Sequence, residues 1–167
     1  DNFERLDRLK KICNHSQINR NILLAALLIG EKNNHEYFAH KYNISNDIKD
    51  NLNLLANDLK LIKENKDFFD KDLEKNIYLS NKNHLINLNI LNFVNNSKYK
   101  LRDFSETFKK ILQSKVHSFP IDGKFLMQHG MKEGSTLGRV LKIIEDEWIL
   151  NGFKISRKRV KEIINSN

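Results

Sequence analysis

Pro120-Ile-Asp-Gly123-Lys-Phe-Leu-Met-Gln-His-Gly130-Met-Lys-Glu-Gly134-Ser-Thr-Leu-Gly138-Arg-Val-Leu-Lys-Ile-Ile-Glu-Asp-Glu-Trp148-Ile-Leu-Asn-Gly152-Phe153 holds the only proline of the chain and five of its six glycines. Glycine and proline fix backbone geometries that other residues resist, so their clustering marks specialised turns. The 119 residues ahead of Pro120 contain one glycine, Gly30. Asp122 is placed to cap a short helix from Gly123 to His129, and Gly130 to end it in a left-handed conformation. A longer helix then opens at Gly134-Ser135-Thr136, with Ser135 or Thr136 as its cap. Leu137, Val140, Leu141, Ile144 and Trp148 form its buried face, and Gly152 stops it. Ser156 caps a last helix carrying Arg157, Lys158, Arg159 and Lys161. The reading is helix, glycine hairpin, helix, basic helix.

Upstream, apolar residues recur at three- and four-residue intervals. Phe3, Leu6, Leu9, Ile12 and Cys13 make one stripe, with Cys13 expected as a small core residue. Ile22 to Ile29 is dense enough for a buried helix, and His35 to Tyr42 gives a short one. Ser45 can cap a run bearing Ile48, Leu52, Leu55, Leu59 and Ile62. A helix through Phe68, Phe69, Leu73, Ile77 and Tyr78 follows. Ser80 or Asn81 caps another with Leu85, Leu88, Leu91 and Val94, and Leu101, Phe104, Phe108, Ile111 and Leu112 supply the next stripe. No Asn-Gly or Asp-Gly pair joins two alternating runs as a β-hairpin would need. The expected fold is all-α: a multi-helix body, residues 1–97, and a basic helical tail, residues 98–167.

The 167 residues suffice for one ordinary domain or two small helical ones, with roughly 70% of the unfolded surface available for burial. One cysteine excludes an internal disulfide and fits a reducing, cytoplasmic compartment. The longest apolar run, Ile22 to Ile29, is eight residues, far short of a membrane span. The start at Asp1, without methionine or signal pattern, suggests a piece of a longer protein. Net charge is +8, unevenly placed. Residues 1–97 hold 14 Lys/Arg against 13 Asp/Glu, and residues 98–167 hold 15 against 8. Either a polyanion meets the C-terminal part or the lysines form a solvated surface.

Catalytic patterns are absent. His35 and His40 flank a stretch like a zinc-protease helix but stand five apart, about 140° around a helix, and read as surface or boundary histidines. His15, His84, His117 and His129 show no ligand spacing. Glu145, Asp146 and Glu147 are consecutive and point different ways, so they read as a solvated face beside Trp148. There is no Gly-Lys-Ser/Thr phosphate loop, and no paired aspartates follow a glycine-serine turn. No catalytic residue, metal site or cofactor is expected in this chain.

The spacing Pro120-x-x-Gly123-x-x-Leu126-Met127-x-x-Gly130-Met131-x-x-Gly134-x-x-Leu137-Gly138-x-x-Leu141, followed by Glu145 and Trp148-Ile149-x-x-Gly152-Phe153, resembles the C-terminal region of bacterial tRNA nucleotidyltransferases. These are the CCA-adding enzymes and their poly(A) polymerase relatives. Leu24-Ala25-Ala26-Leu27-Leu28, and Tyr42 to Asp47 through Leu52, are similar to body segments of that family, so the resemblance extends over nearly the whole chain. It implies a body and tail that hold a tRNA, or another structured RNA, by shape and phosphate contacts. The family's catalytic head, with its magnesium and CTP or ATP, and its neck have no counterpart here; Asp1 to Arg5 do not supply the neck pattern. They would be partners within the same protein.

On that reading Lys132, Gly134, Ser135, Thr136, Gly138, Arg139, Arg157, Lys158 and Arg159 are the RNA-binding candidates. Helix N-termini and glycine backbones admit phosphate, and the hydroxyls and cations add donors. The plainer alternatives are turns at Gly130 and Gly134, close helix packing at Gly138, a core Trp148 and a solvated basic helix. A different class is also open: a stand-alone helical nucleic-acid module using the Gly130–Gly138 turn as a helix-hairpin-helix phosphate clamp.

Overall fold

The computed structural model describes residues 2–13, 18–30 and 34–166; His15 lies outside them. They form ten helices and no strand: α1 (Asn2–Ile12), α2 (Arg20–Leu28), α3 (Asn34–Tyr42), α4 (Asn46–Glu64), α5 (Leu73–Leu79), α6 (Lys82–Asn95), α7 (Leu101–Gln113), α8 (Gly123–Gln128), α9 (Ser135–Leu150) and α10 (Arg157–Asn165). The fold is all-α. No helix among the described residues is long and apolar enough to cross a membrane.

The chain divides into two compact units, Asp1–Lys115 and Val116–Asn167. The compositional break at residue 97 is not this boundary. Residues 98–115 contain α7, which packs against α6, so the most basic sequence half is shared between units. Unit 1 holds 20 Lys/Arg and 15 Asp/Glu, and unit 2 holds nine and six. The excess positive charge is therefore spread over both.

Unit 1 is organised by α6, which touches α1, α2, α4, α5 and α7. Its apolar residues are not confined to one stripe: Leu85, Leu88, Ile90, Leu91, Phe93 and Val94 are all buried, as expected for a helix enclosed on several sides. Enclosure also traps polar groups, and the deepest of them is paired at both ends. Asn89, fully buried, donates from Nδ2 to the Phe104 carbonyl at 3.1 Å, and its Oδ1 lies 2.9 Å from the Tyr99 hydroxyl. That hydroxyl also meets Thr107 Oγ1 at 2.7 Å, and burial raises its pKa to about 12. At the C-terminal end of α6, Arg8 donates to the carbonyls of Phe93, Asn96 and Tyr99 at 2.7–2.9 Å. Terminal helix carbonyls lack partners of their own, so Arg8 both caps α6 and ties α1 to it.

Several sequence expectations shift here. Phe68 and Phe69 lie in turns before α5 and not in a helix. Asn65 Oδ1 accepts from the Asp67 backbone, and Asn76 Nδ2 donates to the Phe68 carbonyl, so side chains hold the turn that apolar spacing alone would make helical. Asn81, not Ser80, caps α6, its Oδ1 accepting from His84 N. Cys13 is exposed just past α1 instead of joining the core. His35 is buried at 5% exposure while His40 is exposed. His84 is buried too, its Nε2 lying 2.7 Å from Asp58 Oδ2.

Unit 2 is the punctuated stretch. Asp122 caps α8, its Oδ1 accepting from Phe125 N at 2.9 Å. Both α8 and α9 end in the same closed turn. After α8, Gly130 N donates to Met127 O and Met131 N to Leu126 O; after α9, Gly152 N donates to Ile149 O and Phe153 N to Trp148 O. These are paired Schellman bonds, with φ of 93° at Gly130 and 63° at Gly152. Leu126, Val140, Ile144, Val160, Ile163 and Ile164 form the buried core.

Trp148, 4% exposed, is structural, but its ring neighbours differ from the aliphatic set expected. Phe119 lies 5.3 Å away and Phe153 4.9 Å, centroid to centroid. Phe153 itself has φ of 63°, unfavourable for a side chain bearing Cβ by roughly 1–3 kcal/mol. Stacking on His117, at 3.8 Å and 7° between planes, and contact with Trp148 hold it there. Trp148→Ala removes a buried aromatic and is expected to destabilise unit 2 by about 3–5 kcal/mol. Since two units can unfold separately, urea denaturation is followed by NMR intensities of α9 amides. An unchanged midpoint would show the indole to be dispensable for packing.

Candidate nucleic-acid interface

The turn between α8 and α9 is built by backbone first. His129 closes α8, its Nδ1 donating to the Phe125 carbonyl at 2.8 Å while the ring stacks on Phe125 at 4.3 Å. The Schellman bonds at Gly130 reverse the chain. Met131 turns inward against the core, and Lys132 and Glu133 are left exposed. Gly134 then occupies the N-cap of α9 with φ of 146° and ψ of −170°. That conformation is open in practice only to glycine, which explains the residue.

The cap expected of Ser135 or Thr136 is therefore not formed. Ser135 is the first residue inside α9, Thr136 the second, and no side chain caps this helix. Both hydroxyl side chains are exposed. The helix accordingly begins with N–H groups that no capping oxygen meets, at its positive end. A cleft of about 590 Å³ opens over this start, bounded by residues 129–136 and by Ile164 and Asn165 at the far end of α10.

Gly138 is exposed on α9, and a Cβ built there would meet nothing within 4 Å. Close helix packing is therefore not its reason. Arg139 beside it is exposed, one turn beyond Ser135 on the outer face. Neither Lys132 nor Arg139 forms an ion pair among the described residues.

The three cations opening α10 divide. Ser156 caps the helix, its Oγ accepting from Arg159 N. Arg159 reaches back to α9: Nε donates to Glu147 Oε1 at 2.8 Å and Nη2 to Oε2 at 3.0 Å, with Nη1 3.4 Å from Glu162. This fork-on-carboxylate geometry is the strong form of such a pair. It raises the arginine pKa further and holds the Glu147 carboxyl below its ordinary range. Arg159 thus fastens α10 to α9. Arg157 and Lys158 are exposed and unpaired among the described residues. The acidic trio is similarly engaged, Lys142 Nζ lying 3.0 Å from both Glu145 and Asp146 and gaining a raised pKa from those hydrogen bonds.

The nine candidates therefore form two groups and not one. Lys132, Gly134, Ser135, Thr136, Gly138 and Arg139 gather at the start of α9. Arg157 and Lys158 lie near its other end, because Arg159 pairs with Glu147, 12 residues and about 18 Å along α9 from Ser135. His129 and Asn165, which join the cleft, carried no motif in the sequence beyond the position of His129 before a turn glycine. Among the described residues no group of three or more His, Cys, Asp or Glu is placed to hold a metal ion.

No family model, curated protein or solved structure matches this chain.

Gly134 and Gly138, both exposed, separate by conformation. Gly134→Ala forces a side chain into φ of 146° and is expected to cost roughly 1–3 kcal/mol. Gly138→Ala, in open helix, should add about 0.5–1 kcal/mol of stability. Urea midpoints of the two variants moving in the same direction would contradict the assigned geometries.

Proposed function

We propose that this chain is the non-catalytic body and tail of a tRNA nucleotidyltransferase, an RNA-binding element that holds a folded tRNA through phosphate and shape. The supporting observation is the uncapped start of α9 at Gly134, lying open beneath a cleft with Lys132, Ser135 and Thr136 around it. A helix N-terminus of this kind suits a phosphate group, and Arg139 extends the donors along the same helix. Arg157 and Lys158, about 18 Å away, give a second point of contact. Two separated points on a rigid helical pair suit a structured RNA better than a flexible strand, because both are met at once only when the phosphates are held at that distance. CCA addition or poly(A) synthesis would be the work of the head, outside this sequence.

The α8–turn–α9 hairpin would serve equally as a phosphate clamp in a stand-alone nucleic-acid module. The two readings differ in partner: the first favours folded tRNA over other RNAs, and the second is indifferent.

Binding of the chain to a tRNA and to an unstructured RNA of equal length, across a salt series, tests this. Lys132→Ala/Arg139→Ala and Arg157→Ala/Lys158→Ala should each weaken tRNA binding. Removing one cation that meets a phosphate should lower the slope of log affinity against log salt by about 0.7–0.9. Lys63→Ala/Lys66→Ala, on unit 1, should leave that slope unchanged. Equal weakening by all three variants would mean nonspecific attraction, and equal affinity for the two RNAs would favour the stand-alone module.

A further inference from the structure

Of the 23 asparagines in the chain, only Asn151 is followed by glycine. That pair carries a covalent reactivity of its own. The backbone nitrogen of the following residue can attack an asparagine side-chain amide, and a residue without Cβ hinders the attack least. Asn151 is exposed, and its side chain makes no hydrogen bond among the described residues, so its amide is not tied elsewhere. Asn96 and Asn165, which precede serines, differ. Asn96 Oδ1 accepts from the Lys98 N–H at 3.1 Å, and Asn165 lies inside α10.

The end of α9 holds the pair in an unreactive shape. Ring closure needs the Gly152 nitrogen on the Cβ side of Asn151, and ψ of 25° places it almost opposite. That nitrogen is also engaged, donating to the Ile149 carbonyl at 3.1 Å, while Phe153 N donates to Trp148 O at 2.8 Å. Rotating ψ of Asn151 breaks both bonds. Phe153 keeps the turn shut, held at φ of 63° by its stack on His117 and its contact with Trp148. Reaction therefore waits on a local opening of the end of α9.

We propose that Asn151 is a modification site gated by this turn, deamidating when the end of α9 opens. Gly152 N bonds to Asn151 Cγ, the Cγ–Nδ2 bond breaks, and the backbone amide proton leaves with the amine as ammonia, giving a cyclic imide. Water then adds to either imide carbonyl and cleaves its C–N bond, giving aspartate or isoaspartate. Water is the only co-reactant. Both products act on unit 2. A carboxylate at the C-terminal end of α9 meets the negative end of the helix. Isoaspartate routes the main chain through Cβ, and the added atom prevents the Schellman bonds from closing as before. Refolding does not reverse either change, so an opening that reacts leaves a permanent mark.

The test holds the full chain at mildly alkaline pH, folded and in guanidinium, and samples both by trypsin digestion and mass spectrometry. Cleavage after Lys142 and Lys154 frees residues 143–154, a peptide whose only asparagine is Asn151. In guanidinium this asparagine should convert to the acid before any other. In the folded chain it should convert at least roughly tenfold more slowly, since both bonds of the turn must first be lost. Phe153→Ala removes the ring that holds the turn and should bring the folded rate towards the denatured one. If that variant unfolds, the two wild-type rates decide alone. Equal rates in the folded and denatured wild-type chain, earlier conversion of another asparagine in guanidinium, or an unchanged rate in a folded Phe153→Ala variant would overturn the proposal.

Discussion

Where α9 begins and ends governs the rest of unit 2. The unit has 52 residues, a size at which a single core leaves little stability to spare. Its helices must therefore start and stop at fixed places, since a shift of one residue would turn Val140, Ile144 and Trp148 by about 100° away from the core. Gly134 sets the start through a conformation other residues avoid, and the Schellman bonds at Gly152 set the end. With α9 fixed, Glu147 meets Arg159, and α10 is held against it. The same start leaves the first turn of α9 without a capping oxygen. Structure and candidate function thus share one constraint, the glycine at position 134.

Unit 1 solves a different problem. Its central helix α6 buries nearly its whole circumference, which is favourable for apolar side chains but dangerous for Asn89 and for the carbonyls at the helix end. Tyr99, Thr107 and Arg8 meet those groups from α1 and from the chain around α7. An unpaired buried group would cost about 1–3 kcal/mol. Among the described residues two buried side-chain atoms of unit 1, His35 Nδ1 and Asn95 Oδ1, have no such partner.

Sequence reading recovered what local physics decides. Helical periodicity gave the all-α class, and the glycine and proline positions gave the turn at Gly130, the stop at Gly152 and the caps at Asp122 and Ser156. It failed where a distant partner or a competing local bond decides. The pairing of Arg159 with Glu147 joins residues 12 apart on two helices, and no periodicity marks it. Side-chain capping preference pointed to Ser135 or Thr136, but the backbone freedom of Gly134 took the position before them. Phe68 and Phe69 kept helical spacing while Asn65 and Asn76 bonded the chain into turns. The charge boundary at residue 97 differs from the unit boundary after Lys115, because composition does not report that α7 packs on α6.

The central claim, that the start of α9 is the seat of an RNA phosphate, is most directly tested by amide hydrogen exchange of the whole chain with and without a folded tRNA. The account predicts new protection at the amides of Ser135, Thr136 and Leu137, the N–H groups that no side chain caps. Protection confined to unit 1, with these three amides exchanging as they do in the free chain, would contradict it.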